Sequence, residues 1–170
     1  GVLRCLDGTN GQEIWVEDLL ARIGVTPEED LENIAWGRSA SPLVVDDLVV
    51  VPLGGKEEAS CSSLIAFDRQ TGEVMWTGGE HQAAYASASV ATILDQRQIL
   101  IVNQDYVSGH RVENGEQLWQ VDWPGNSATN ANVSQAVHLS GGYILLSEAY
   151  HGGAKVVELS RDGDVWESRE

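Results

Sequence analysis

Short apolar runs broken by polar or glycine-bearing turns recur along the whole chain. Pro42-Leu43-Val44-Val45, the pair Asp46-Asp47 and Leu48-Val49-Val50-Val51 read as strand, turn and strand. The same pattern returns in Val90-Ala91-Thr92-Ile93-Leu94, Asp95-Gln96-Arg97 and Gln98-Ile99-Leu100-Ile101-Val102. It returns once more in Ala136-Val137-His138-Leu139, Ser140-Gly141-Gly142 and Tyr143-Ile144-Leu145-Leu146.

Each of these hairpins is followed by a second signal, a glycine turn leading to a tryptophan. Its copies are Leu6-Asp7-Gly8-Thr9-Asn10-Gly11-Gln12-Glu13-Ile14-Trp15, Phe67-Asp68-Arg69-Gln70-Thr71-Gly72-Glu73-Val74-Met75-Trp76 and His110-Arg111-Val112-Glu113-Asn114-Gly115-Glu116-Gln117-Leu118-Trp119. A weaker copy runs Leu159-Ser160-Arg161-Asp162-Gly163-Asp164-Val165-Trp166. The glycine supplies a positive φ at the turn, and a preceding Asp, Asn or Thr bonds the turn backbone. The indole then falls on the departing strand, where a large ring with a single donor suits the seam between stacked sheets. Gly11, Gly72, Gly115 and Gly163 with Trp15, Trp76, Trp119 and Trp166 are therefore the expected docking residues between units.

Successive tryptophans of the repeat lie 61, 43 and 47 residues apart, a period expected of β-propeller blades. Small polar residues precede the first strand of each unit, in Ser39-Ala40-Ser41, Ser87-Ala88-Ser89 and Asn130-Ala131-Asn132. Innermost strands converging on an axis favour such residues, so the pattern supports a propeller over a β-sandwich. The expected fold is all-β, an incomplete propeller of four-stranded antiparallel blades. The division is a half blade over 1–17, a helical insert over 18–37, and blades over about 38–77, 78–122 and 123–166. The insert accounts for the one long step. In it Asp18 caps a first helix ending at Gly24, Thr26-Pro27-Glu28-Glu29 forms a capping box, and Leu19, Ile23, Leu31 and Ile34 form an apolar face.

Phe67-Asp68-Arg69-Gln70-Thr71-Gly72-Glu73-Val74-Met75-Trp76, preceded by Ser63-Leu64-Ile65-Ala66, resembles the blade repeat of pyrroloquinoline-quinone-type (PQQ-type) propellers. Similar repeats occur in quinoprotein alcohol dehydrogenases and in the non-catalytic lipoprotein of outer-membrane β-barrel assembly, and the chain is nearer in kind to the second. The resemblance covers nearly all of the chain outside the insert, although Arg111 and Ser160 stand where the repeat has Asp. It implies a ring of seven or eight blades, of which about half is present, and export to the periplasm or cell exterior. Open ends of such a stack would expose apolar seams and favour association, or a remainder of the polypeptide beyond this chain, whose start is expected upstream of Gly1.

The resemblance offers three functions: a binding or scaffold module presenting loops and a channel mouth to a protein or small ligand, a fragment of a PQQ-dependent dehydrogenase, or the sensor domain of a larger protein. The scaffold is preferred. A dehydrogenase of this family would hold PQQ with calcium and carry a vicinal cysteine pair, whereas Cys5 and Cys61 are far apart and no catalytic, cofactor or metal residue can be assigned. His81, His110, His138 and His151 lack metal-site spacing. A net charge of −16 disfavours nucleic acid and anionic lipid as partners, and no apolar run is long enough to span a bilayer. Trp36 and Trp123 lie outside the repeat position and are expected at the surface. The connections at Asp105-Tyr106 and Tyr150-His151 are candidate partner contacts.

Overall fold

The computed structural model describes residues 1–57, 60–127, 130–149 and 151–169; Tyr150, named above with His151, lies outside the described residues. Strands β1 (Val2–Leu6) and β2 (Glu13–Asp18) pair as a two-stranded sheet, sheet 1. Two short helices follow, α1 (Leu19–Arg22) and α2 (Pro27–Asn33). Sheet 2 contains β3 (Leu43–Val45), β4 (Leu48–Gly54), β5 (Ser62–Asp68) and β6 (Val74–Gly78). Sheet 3 contains β7 (Ser89–Ile93), β8 (Gln96–Val102), β9 (Tyr106–Arg111) and β10 (Gln117–Asp122). Sheet 4 contains β11 (Val137–Ser140), β12 (Tyr143–Glu148), β13 (Gly153–Asp162) and β14 (Val165–Arg169). All neighbours pair antiparallel in chain order, so each sheet is a meander. The architecture is all-β, an unclosed stretch of propeller.

The core lies between sheets. Val50, Leu64, Ala66 and Trp76 of sheet 2 pack with Ile99, Ile101 and Val112 of the next unit. Leu100, Val107, Trp119 and Val121 of sheet 3 pack with Ile144, Leu146, Val157 and Leu159 of sheet 4. Leu19, Val51, Ile65 and Phe67 form the corresponding layer beside sheet 1, with Leu3 packed against it. Strands β4 and β5 are buried along nearly their whole length because a neighbour covers each face. β13 instead alternates over its buried portion, as a strand covered on one side does. Its uncovered side leaves Val137, Tyr143 and Val156 exposed, while Val2, Leu6, Ile14 and Val16 are exposed at the opposite end of the array.

Turn chemistry follows from the repeat. Asp68 accepts from the backbone N–H groups of Gln70 and Thr71 at 2.8 Å each, while Gly72, at φ +75°, donates to the Asp68 carbonyl at 2.9 Å. Those amide donors hold the Asp68 carboxyl below its usual range, and Thr9 does the same for Asp7. Arg111, standing where Asp would be, enters the turn only through its backbone, the side-chain acceptor there being Asn114 Oδ1, which takes the Glu116 N–H at 3.0 Å, and its guanidinium is used for ion pairs. It pairs with Glu116 at 2.7 Å and with Asp164 of sheet 4 at 3.0 Å.

The insert forms both helices, with Asp18 and Thr26 as caps and the capping box complete. Its buried side differs from the expected one. Leu19 and Ile34 are buried and Ile23 is half-buried, but Leu31 is 49% exposed. Leu20, Val25 and Asp30 take the inner positions instead. The reason is that Asp30 turns inward to meet Arg38, which rotates Leu31 to the outside of a helix only two turns long.

Candidate interaction face

In a meander, successive connections alternate between the two ends of the sheet. The turns β1–β2, β3–β4, β5–β6, β7–β8, β9–β10, β11–β12 and β13–β14 therefore share one end, and they are all short. The insert and the connections β4–β5, β6–β7, β8–β9, β10–β11 and β12–β13 share the other, which carries the longer segments. The short-turn end is stitched by ion pairs, Arg97 with Asp46 between sheets 3 and 2 and Arg111 with Asp164 between sheets 3 and 4.

The repeat tryptophans sit near the short-turn end but are not equivalent. Trp15 is buried, its Nε1 donates to the Arg69 carbonyl at 3.0 Å, and its ring lies where a Cβ on Gly72 would come within 2.8 Å. Trp76 lies over Gly115 of the next unit in the same way, but its buried Nε1 has no acceptor among the described residues. Trp119 folds back over Gly109 of its own sheet and donates to Gln98 Oε1 at 2.6 Å. Trp166 is half-buried beneath the Arg161 guanidinium, 5.5 Å from the ring centre. Gly11 and Gly163 have positive φ with open space around them. Of the other tryptophans, Trp36 is 64% exposed as expected, but Trp123 is buried, with Lys155 Nζ 5.2 Å from its ring centre. Its position at a strand exit gave no sign that sheets 3 and 4 would close over it.

The loop-bearing end is held by side-chain amides bonded to backbone. Asn132, almost wholly buried, donates through Nδ2 to the carbonyls of Asn103, Gln104 and Trp123 at 2.8–3.0 Å. Asn103 Nδ2 donates to the Gln82 carbonyl at 3.2 Å, and Gln82 Nε2 donates to the Gly55 carbonyl at 2.9 Å. Gln104 Nε2 reaches the Asn33 carbonyl at the end of α2 at 2.7 Å. Arg38 grips Asp30 with two bonds of 3.0 and 2.8 Å and donates a third, of 2.6 Å, to the Leu53 carbonyl of β4. Backbone carbonyls of irregular segments are thus given donors, which ties the described loops of this end to one another. A cavity of about 240 Å³ opens there among Asn33, Lys56, Cys61, His81, Gln104 and Tyr106. His81 stacks on Tyr106 with ring centres 4.1 Å apart. The candidate contact Asp105 is exposed at its rim, and His151 is exposed on the β12–β13 connection.

Among the described residues, no three His, Cys, Asp or Glu side chains gather as a metal ion would need. Cys5 and Cys61 are not joined in a disulfide; the first is half-buried and the second buried, with its Sγ donating to the Glu57 carbonyl at 3.4 Å.

His110 is the histidine that the fold places in the interior. It occupies the repeat position held by Leu6 and Phe67 and is fully buried between Ser108 and the Gly115 carbonyl. A carbonyl only accepts, so Nδ1 carries the proton across 3.0 Å to Gly115 and Nε2 accepts from Ser108 at 2.9 Å. Burial lowers its pKa to about 4, against the opposing pull of the Gly115 carbonyl. The unfolded chain, with a pKa near ~6.5, takes up a proton first as the pH falls. The His110 contribution is therefore complete above about pH 6.5 and is lost as the pH falls through about 4, roughly 3 kcal/mol in all. Urea midpoints measured across that interval should fall more steeply in the natural chain than in His110→Phe, and equal slopes would refute the assignment.

Rigid meandering sheets stacked side by side, bound at one end by short turns and at the other by interlocked loops, define a β-propeller of PQQ-like blades. The chain belongs to the outer membrane protein assembly factor BamB family, whose model matches residues 1–170. Among solved structures it resembles the crystal structure of BamB from Moraxella catarrhalis at 17% identity and a TM-score of 0.50, covering 99% of this chain and 48% of that one. The chain thus spans about half the length of that relative. No curated protein matches it.

Proposed function

We propose that this chain is part of a non-catalytic propeller scaffold that works on the periplasmic side of the outer membrane, where its loop-bearing end contacts a protein of the β-barrel assembly process. The observation that carries the reading is the interlock of Asn132, Asn103, Gln82, Gln104 and Arg38, which commits buried and half-buried polar groups to fixing loop backbone. A preformed surface binds with little ordering cost, which is what a scaffold needs. Membership in the BamB family supports the same reading. No helix among the described residues is long and apolar enough to cross a membrane.

The test uses the intact protein in the organism that carries it. Removing it should reduce the amount of folded barrel protein in the outer membrane, and a Glu80→Lys and Asp105→Lys double variant at the loop-bearing end should do so without lowering the melting temperature. Unchanged barrel levels after removal, or stoichiometric quinone on the purified intact protein, would overturn the proposal.

A further inference from the structure

The insert is the one part of the loop-bearing end that interrupts the repeat, and its outer side is unusual. α2 reads Pro-Glu-Glu-Asp-Leu-Glu-Asn over Pro27–Asn33. Two of its acidic groups are engaged, Asp30 with Arg38 and Glu29 with Lys56 at 3.0 Å. Glu28 and Glu32, one turn apart, are exposed and have no ion pair among the described residues. Leu31 is 49% exposed and Trp36 64% exposed in the same short stretch.

This stretch is mounted stiffly. Ile34 is buried with Ala83, Tyr85 and Ala131. The Tyr85 hydroxyl accepts from the Trp36 backbone N–H at 3.3 Å, and the two rings lie 5.5 Å apart. Gln104 and Arg38 tie the ends of the segment to sheets 3 and 2. A tryptophan held in place while most of its surface faces solvent gives large contact area at small entropic cost, the property of an interface anchor.

We propose that the outer side of α2 together with Trp36 docks a basic protein segment, an arginine or lysine of which lies on the Trp36 ring while neighbouring cations meet Glu28 and Glu32. The inference rests on the scaffold reading above and names the chemistry of the partner. Charge selects this occupant over a second copy, since two chains of net charge −16 repel and would add carboxylates to carboxylates. A cation over an indole is the strongest of the cation–π pairings, and the uncompensated carboxylates of α2 add attraction and a faster encounter.

The experiment measures binding of an amidated peptide of alternating arginine and leucine to the intact protein by calorimetry at two salt concentrations. Trp36→Ala should weaken binding about tenfold. The Glu28→Gln and Glu32→Gln double variant should weaken it severalfold and flatten its salt dependence. Glu113→Gln with Glu167→Gln, an equal charge change elsewhere, should leave it unchanged, and melting curves should show all variants folded. Equal losses in both charge-paired variants, no effect of Trp36→Ala, or a Trp36-dependent dimer in sedimentation would overturn the proposal. The scaffold reading is judged separately: if Glu80→Lys with Asp105→Lys lowers barrel levels while Trp36→Ala leaves both barrel levels and peptide binding intact, this surface is wrong and the scaffold stands.

Discussion

Replacing Trp76 with alanine is expected to destabilise the fold by about 3–5 kcal/mol, the range for deleting a large aromatic side chain from a packed interior. Trp76 leaves sheet 2 and enters the cluster that includes Ile99, Ile101 and Val112, so its removal opens a void between two units rather than within one. The Trp36→Ala change removes a ring of the same size that is mostly in solvent, and it should cost less than about 1 kcal/mol. Three further substitutions separate ring packing from hydrogen bonding and from backbone strain. Because the Trp76 Nε1 group is buried without an acceptor among the described residues, Trp76→Phe sheds that unpaired donor and should cost far less than alanine. Gly115→Ala attacks the junction from the other side, since a Cβ there would lie 2.4 Å from the Trp76 ring at a φ of +73°. It should cost about 2 kcal/mol or more, whereas Gly11→Ala, with the same backbone but open space, should cost about 1 kcal/mol. Denaturant midpoints would check all five, and equal losses for Trp76→Ala and Trp36→Ala would show that the repeat position does not bind neighbouring units together.

What could be read in the sequence was local and periodic. The four-strand units were legible because the turn of Asp68 to Gly72 and the hairpin at Asp46-Asp47 are fixed by residues adjacent in the chain. Both caps of the insert were legible for the same reason. The rest depended on contacts between distant segments. Leu31 was expected inside and lies outside because Arg38, eight residues on, draws Asp30 inward. Trp123 was expected at the surface and is buried because sheet 4 packs over it. His110 gave a weak signal, a polar residue at a position where other copies have Leu6 and Phe67, but only the fold supplies Ser108 and the Gly115 carbonyl as its partners. The interlock of the loop-bearing end was invisible for a further reason: Asn and Gln in loops normally read as solvated, and nothing in their spacing says which carbonyls they will meet.

Asp30→Ala should be as damaging as the loss of the tryptophan, by about 3–5 kcal/mol, through a different mechanism. The Asp30 and Arg38 side chains are only 9% and 13% exposed, so the carboxylate that accepts two bonds from the guanidinium is its main compensation away from water. Alanine leaves a buried cation holding only the Leu53 carbonyl. The pair itself has little net worth, because both ions were taken out of water to make it, so the double variant Asp30→Leu with Arg38→Met should recover most of the loss. Recovery should be incomplete in one respect. Arg38 is also the strut between the insert and β4, and without it the amides of α2 should exchange with solvent faster even where the urea midpoint has returned. A single-variant loss under about 1 kcal/mol would mean that water reaches the guanidinium, and that the insert is not fixed to sheet 2 through this contact.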